Sequence, residues 1–549
     1  MKIKLLSIVL LISIYCFSQE NKGQIIGDFN LSMQSYQEDS LIGATAEDEV
    51  VLSNAYLNLH YSIGNFRTGL RYESYLNALA DYDPEFQGNG IAFRYATYKI
   101  DNLEITAGNY YEQLGSGLIF RSYEEKGLGI DNAMDGVRLR YDGVQGVFLK
   151  GFIGKSRTHF TYSDAIFRGV DGEVNINDLF KFNKKTKTIF GASFVSRYHE
   201  REGIAFKIPQ NVGAYSTRLN ILRGNWDYYA EFAYKINDPK NVTNETEINY
   251  AGGNAFKNSI TYSKRGFGFS AELHRIDNMA FKSDRDKDDI EKAYWINYIP
   301  TLSKQHTYSL LALYPYATQY YGEIGIQSDI FIKFKKGSML GGKYGTKMDL
   351  NYSRMSGLSG DYGSSYKNSL DNYSPKTFDF GQELYFQDIN LEIYKKINKK
   401  IKTTHAVSNQ TYNRQVSEGK PGMLNSTILV SDISYKIKQG HTLRIELQTL
   451  RSEETDNKKE LAEGDWSMGL IEYTVSPSWS FTLQDLYNWG NEDITKQLHY
   501  INTNISYSKG ANRFEIGYGK KREGIFCAGG VCKTVPASNG FTLNITSSF

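Results

Sequence analysis

Proline and cysteine are scarce in this chain, net charge almost vanishes, and no long apolar run follows the N-terminus. Nine prolines in 549 residues leave little to interrupt extended backbone, because proline cannot donate to a strand ladder. Sixty-three basic side chains against 61 acidic, a formal charge of +2, give no sign of nucleic-acid binding. No segment offers the 18 or more consecutive apolar residues of a membrane helix. Catalytic signatures are missing as well. The eight histidines are scattered from His60 to His499. No serine sits in a nucleophile elbow, and no histidine pair has metal-binding helical spacing. This reading assigns no catalytic residue, no metal ligands and no cofactor.

What is present is aromatic. Tyrosine numbers 42, phenylalanine 30 and glycine 50, a composition that suits long paired strands bounded by aromatic girdles. A soluble all-β propeller would share it. The N-terminus supplies the compartment. Lys2 and Lys4 precede an apolar run from Leu5 to Tyr15, then Cys16-Phe17-Ser18, the form of a secretory signal peptide cleaved near Ser18. Tyr15 is too bulky for a usual lipoprotein box at Cys16. Removing residues 1–18 takes away two lysines and no acids, bringing the formal charge to zero. An exported chain without a membrane helix can still be integral to a membrane, as a closed barrel.

The end of the chain fits that option. In Gly540 to Phe549, Phe541, Leu543, Ile545 and Phe549 fall on one face and Thr542, Asn544 and Thr546 on the other. That is the period-two pattern of a strand with one apolar side. Upstream, strand pairs are joined by tight polar turns such as Gly64-Asn65, Asp101-Asn102, Gly224-Asn225, Gln439-Gly440 and Lys509-Gly510. Longer loops lie between the pairs, among them 78–89, 111–135, 278–319, 355–383 and 521–539. Short turns at one end and long loops at the other predict an all-β fold: an antiparallel outer-membrane β-barrel of residues 19–549 with about 24 strands, range 18–26, both termini periplasmic.

The faces separate barrel from propeller. Met348, Leu350 and Tyr352 alternate with Lys347, Asp349 and Asn351. Leu443, Ile445 and Leu447 alternate with Arg444, Glu446 and Gln448, and Phe514, Ile516 and Tyr518 with Arg513, Glu515 and Gly517. Between propeller blades those charges would be buried at high cost. In a barrel they face a wet lumen while the apolar set faces lipid. About ten residues separate the expected cleavage site from the first strand, too few for an N-terminal plug. Inward-folded loops are therefore expected to fill the lumen, with 111–135, 278–319 and 355–383 as candidates.

Three stretches carry candidate sites. Gly108 to Tyr141 is dense in glycine and charge, and Glu112, Arg121, Glu124, Glu125, Arg138 and Arg140 are candidates for a lumen constriction that sets which solutes pass. The plainer reading is that these charges pair with one another and with the wall. Cys527 and Cys532 flank Ala-Gly-Gly-Val in an oxidising compartment and are expected to form a disulfide. No further ligands stand nearby for a metal. The aromatic loop bearing Trp295, Tyr298, His306, Tyr308, Tyr314 and Tyr316 is either a self-packed plug or a contact surface for a partner protein.

The Gly108–Tyr141 stretch, Gly530-Val531-Cys532-Lys533 with Cys527, and Lys304-Gln305-His306-Thr307-Tyr308-Ser309 together resemble a family of large outer-membrane proteins of unknown function from gliding and gut Gram-negative bacteria. The resemblance implies a single barrel in outer-membrane lipid and supplies no activity. The functional expectation is a porin-like conduit for small solutes. Its alternative is a non-catalytic barrel subunit of a larger secretion, assembly or uptake complex, with other outer-membrane or periplasmic proteins as partners.

Overall fold

A single sheet of 24 antiparallel strands closes on itself. The structure, a computed structural model, describes residues 23–182, 185–200, 209–238, 252–287, 294–361, 374–454, 463–528 and 531–549. The expected leader, residues 1–18, lies outside them. Each strand pairs with its sequence neighbours, and the ring is completed where the first strand, Gln24–Ser35, meets the last, Ser538–Ser548, in the register Asp28↔Ser548 to Gln34↔Thr542. Phe549 adds two backbone bonds at the seam, its N–H donating to Gly27 O at 2.9 Å and its carbonyl accepting from Gly27 N at 2.8 Å. An even strand number puts both termini at the same end, here called the terminal end.

The alternation read from the sequence sets the two faces of the wall. Val137, Leu139 and Tyr141, Ile445 and Leu447, and Phe514, Ile516 and Tyr518 all stand exposed on the outside. Leu350 is exposed in its row, and Met348 and Tyr352 are half-buried. Asn351 and Ser353 on the opposite face are buried. Aromatic rings cluster at the outer rims: Trp226 lies 4.7 Å from Tyr262 and Trp479 4.7 Å from Tyr507 near the terminal end, and Tyr518 4.6 Å from Phe541 near the other. An apolar outer band between aromatic girdles is the surface a strand-built membrane protein presents to lipid.

The connections follow the short-and-long rule with three departures. His159-Phe160 makes a two-residue turn at the loop end, in a stretch whose patterning is poor. At the terminal end, 176–185 and 335–345 replace tight turns. The first begins with the helical turn Ile176–Leu179, capped by the Asn175 side chain. The second holds Gly337, Gly342 and Gly345 at positive φ, a backbone that side chains other than glycine adopt only under strain. In the loop 355–383, residues 362–373 lie outside the described ones, while 356–361 and 374–384 extend the flanking strands.

Candidate functional site

Two loops fold inward and join. Loop 111–133 contributes Leu114, Leu118, Ile119 and Phe120, and loop 278–321 contributes Met279, Phe281, Trp295, Ile296 and Ile299, to one buried cluster. The wall beneath them mixes large inward side chains such as Phe152 and Phe167 with small ones, Ala165, Ala214, Ala233 and Ala255, which leave room for loop side chains. Backbone bonds tie the loops together: Arg121 N–H to Ile296 O at 2.7 Å and Tyr298 N–H to Gly117 O at 3.0 Å. The Asn297 amide donates to Leu118 O at 3.1 Å and to Met279 O at 2.8 Å. The Asn132 amide donates to Trp295 O at 2.6 Å.

The second half of the long loop crosses to another sector of the wall. Leu302, Tyr308, Leu310, Leu311, Leu313, Tyr314 and Tyr316 pack on Ile428, Val430, Leu450, Trp466 and Met468. The inner face is therefore not wet throughout, as the sequence reading expects. Here it is apolar because the loop covers it. Polar contacts fix the position: His306 Nε2 shares a hydrogen bond with Asp388 Oδ2 at 2.7 Å, and Lys304 Nζ donates to Asn390 Oδ1 at 2.8 Å. Gln448 Oε1 accepts from Leu310 N–H at 2.9 Å, and Tyr308 O–H donates to Asp432 at 3.4 Å. Tyr316 stacks on Phe386 at 5.5 Å and donates to Glu323. Tyr314 lies 5.7 Å from Tyr412.

The six candidate constriction residues separate into different roles. Glu112, Arg138 and Arg140 stand together. Arg140 Nη2 reaches Glu112 Oε2 at 2.8 Å, Lys150 Nζ reaches Glu112 Oε1 at 3.2 Å, and Arg138 Nη2 reaches Glu104 Oε1 at 3.3 Å. Burial pushes the Glu112 carboxyl up, but Lys150 and Arg140 pull it further down, leaving it below the ordinary range. Glu124 belongs to a second group, nearer the loop end. Arg71 binds Glu73 at 2.6 Å, Glu124 at 2.7 Å and also Asp131, and Arg157 binds Glu73 at 2.6 Å and also Asp131. Two guanidiniums thus face three carboxylates. Burial raises the Glu124 carboxyl, and the Arg71 guanidinium does not fully offset it. Arg121 is instead a packing group, its guanidinium 4.0 Å from the Tyr298 ring and 4.7 Å from Tyr123. Glu125 caps a turn, accepting from Gly127 N–H at 3.2 Å.

The wall on either side of the seam is different in kind. From the strand Trp479–Tyr487 through the closure to Val51–Ile63, the inward positions include Thr482, Gln484, Asn502, Asn504, Asn544 and Asn58. These side chains are half-buried, and none joins the clusters that hold the plug. Asn504 donates to Asn502 at 2.9 Å, and Asn58 to Asp28 at 2.9 Å. Sequence reasoning passed over this arc because amide and hydroxyl residues form no motif. The alternation of Ile501 and Ile505 with Asn502 and Asn504 was the available signal.

At the loop end a cavity of about 600 Å³ is lined by Phe86, His159, Trp295, Thr318, Tyr320 and Lys533, among others. Cys527 and Cys532 form a disulfide across the hairpin Gly524–Ala528/Val531–Val535, and Lys533 ties that hairpin to Asp81 at 2.8 Å. Among the described residues no group of three or more His, Cys, Asp or Glu side chains is placed to hold a metal ion.

No curated protein sequence matches the chain. Among solved structures it is similar to an E. coli P pilus tip assembly intermediate, PapC-PapD-PapK-PapG, with 10% identity and a TM-score of 0.48 over 98% of this chain and 62% of that one. The chain thus spans about three fifths of that structure's length. It is also similar to the siderophore receptor PirA from Pseudomonas aeruginosa, at 11% identity and TM-score 0.43 over 97% and 81% of the two chains. For OpdL from Pseudomonas aeruginosa the values are 12%, 0.35, 79% and 99%. At these scores the likenesses carry nothing about activity. The match that spans residues 1–549 is to a family of unknown function (DUF6029), and the protein belongs to that family.

Proposed function

We propose that the protein is an integral outer-membrane barrel that conducts small polar solutes, with the path running along the seam-side arc beside the two-loop plug. A cylinder of 24 strands has a backbone diameter of ~45 Å from strand spacing and tilt, wider than two loops fill. The observation that supports the reading is the lining. The plug covers the apolar sectors of the wall, while the arc it leaves uncovered is mostly amide and hydroxyl, with Asp28, Arg513 and Glu515 as its charged members. Uncharged polar groups hydrogen-bond water and solutes without holding them tightly, as conduction requires. The charged ladder of Glu104, Glu112, Arg138, Arg140 and Lys150 lies beyond one side of this arc, with the strands Phe66–Tyr75 and Gly88–Ile100 between. In this reading it holds the base of loop 111–133 and shapes the field at the flank.

The test is conductance in planar bilayers. Stable single-channel steps are expected, reduced several-fold by the pair Asn502→Trp and Asn544→Trp and left intact by Thr503→Trp on the outer face. A silent wild-type barrel, or steps indifferent to the inward tryptophans, would remove the conduit from this arc.

A further inference from the structure

The near-zero total charge hides a strong separation. At the terminal end, six consecutive connections with their flanking residues (176–187, 223–227, 264–267, 333–347, 395–402 and 436–440) carry 19 Lys and Arg against Asp178 and Asp227 alone. The other five, 62–67, 99–104, 142–147, 475–479 and 508–513, carry four bases and three acids. The six border twelve strands, half of the rim, an arc of ~75 Å at ordinary strand spacing and tilt. Eighteen of these 19 side chains, all but Lys184, lie among the described residues, and none of the eighteen takes part in an ion pair. Elsewhere in the barrel bases do pair with acids, as Arg140 and Lys150 do with Glu112 and Arg218 with Asp171, so the unpaired half-rim is not how this chain treats its charges in general.

The same half carries both departures from tight turns. Each presents large apolar side chains: Phe180 and Phe182 in one, Met339, which is 98% exposed, and Leu340 in the other. Ile397 and Ile437 stand exposed between the lysines of the next two connections. Basic and apolar tips mixed in this way fit either an anionic lipid surface or an acidic protein. The confinement to one half decides between them. Lipid surrounds a barrel on every side, so a lipid-gripping belt has no reason to stop at the strands Thr161–Asn175 and His441–Glu454.

We propose that this half-rim is a docking surface for an acidic protein on the side of the membrane where the termini lie. The lysines provide long-range attraction and orientation, and the projecting Phe180, Phe182 and Met339 provide the desolvated contacts. The proposal stands apart from the conduit: a barrel that conducts nothing can still carry this surface.

The experiment is site-specific photo-crosslinking of the full chain in its native cells. A photo-reactive residue replaces Met339 or Ile397 on the basic half, and Ala511 on the other half. Protein adducts at 339 and 397, absent at 511, are expected. Their partner should have an acidic sequence. The yield should fall about tenfold with Lys335→Glu, Lys336→Glu, Lys399→Glu and Lys400→Glu combined, and also when isolated membranes are washed in ~0.5 M salt before irradiation, since exposed charge attraction is screened. The salt wash keeps the test open if the charge-reversed chain does not fold. Adducts to phospholipid only, equal protein adducts at 511, a yield indifferent to both charge and salt, or no adduct at all would overturn the proposal.

Discussion

Arg157→Gln tests whether loop 111–133 is held by charge as well as by its apolar side chains. Arg157 is 1% exposed and makes a two-point contact with Glu73, at 2.6 and 3.0 Å, a bond to Asp131, and a bond from Nε to His159 O at 2.6 Å. The wall contributes Arg71, Arg157 and Glu73, and the loop contributes Asp131 and Glu124. Without Arg157 one guanidinium faces three carboxylates in a buried site. Breaking one side of such a group costs about 3–5 kcal/mol. Opening the loop relieves much of that cost by carrying Asp131 and Glu124 into water. Leu114, Leu118, Ile119 and Phe120, each buried to 1% or less, contribute roughly 1.5–3 kcal/mol apiece and keep the closed form in the majority. At 1.4 kcal/mol per tenfold change, the open fraction should rise by about 10²- to 10³-fold. Leu118→Cys in both backgrounds gives a thiol whose labelling rate reports opening, because the two native cysteines are bonded to each other. Glu124→Gln, which removes the surplus acid, should change the rate less than about threefold. A rate in Arg157→Gln within threefold of its parent, with the barrel folded, would refute the reasoning.

Three further expectations concern the wall and the ladder. Gly27→Val strikes the seam, because a Cβ there would lie 2.7 Å from the Phe549 ring and 2.9 Å from Asn58 O. It should cost about 1–3 kcal/mol, seen as a lower unfolding temperature in detergent, and Phe549→Ala should restore only part of it since the Asn58 carbonyl cannot withdraw. Leu447→Arg on the outer face should cost about 2–4 kcal/mol in lipid, whereas Asn504→Arg on the inner arc should cost less than about 1 kcal/mol; equal effects would mean the faces are misassigned. Glu112 titrates below its ordinary value of 4.5, so its stabilisation is whole above that pH and is lost as pH falls through the lowered pKa. Glu112→Gln should accordingly flatten the acid limb of loop opening in the same labelling assay, and an unchanged limb would place the acid response elsewhere.

Much of the cylinder was legible because a strand between lipid and lumen writes both environments into alternate residues. Leu443 to Gln448 and Arg513 to Tyr518 show it directly, and the turns follow from glycine and asparagine chemistry. The plug was harder to read. Loop 278–321 has no period, since its side chains point to two different sectors of wall. Its receiving surface was visible only as Ile428-Leu429-Val430, a run apolar on both faces where alternation fails. Glu112, Arg138 and Arg140 were found by composition and lie together. Arg121 and Glu125 were equally charged but serve packing and capping, a distinction that depends on which rings and amides the fold brings near. The half-rim of lysines went unread because a chain-wide sum erases local sign.

The closing contact joins residues 506 positions apart, where Ser35 Oγ accepts from Phe541 N–H. Every other neighbour pair in the wall is contiguous in the chain, so a growing sheet can zip from hairpin to hairpin and leave its one long-range union for last. The inward loops, 111–133 and 278–321, both precede that union in the chain, so their wall sectors can pair before the seam forms. The order of events during biogenesis is thus as much a property of this molecule as its final shape.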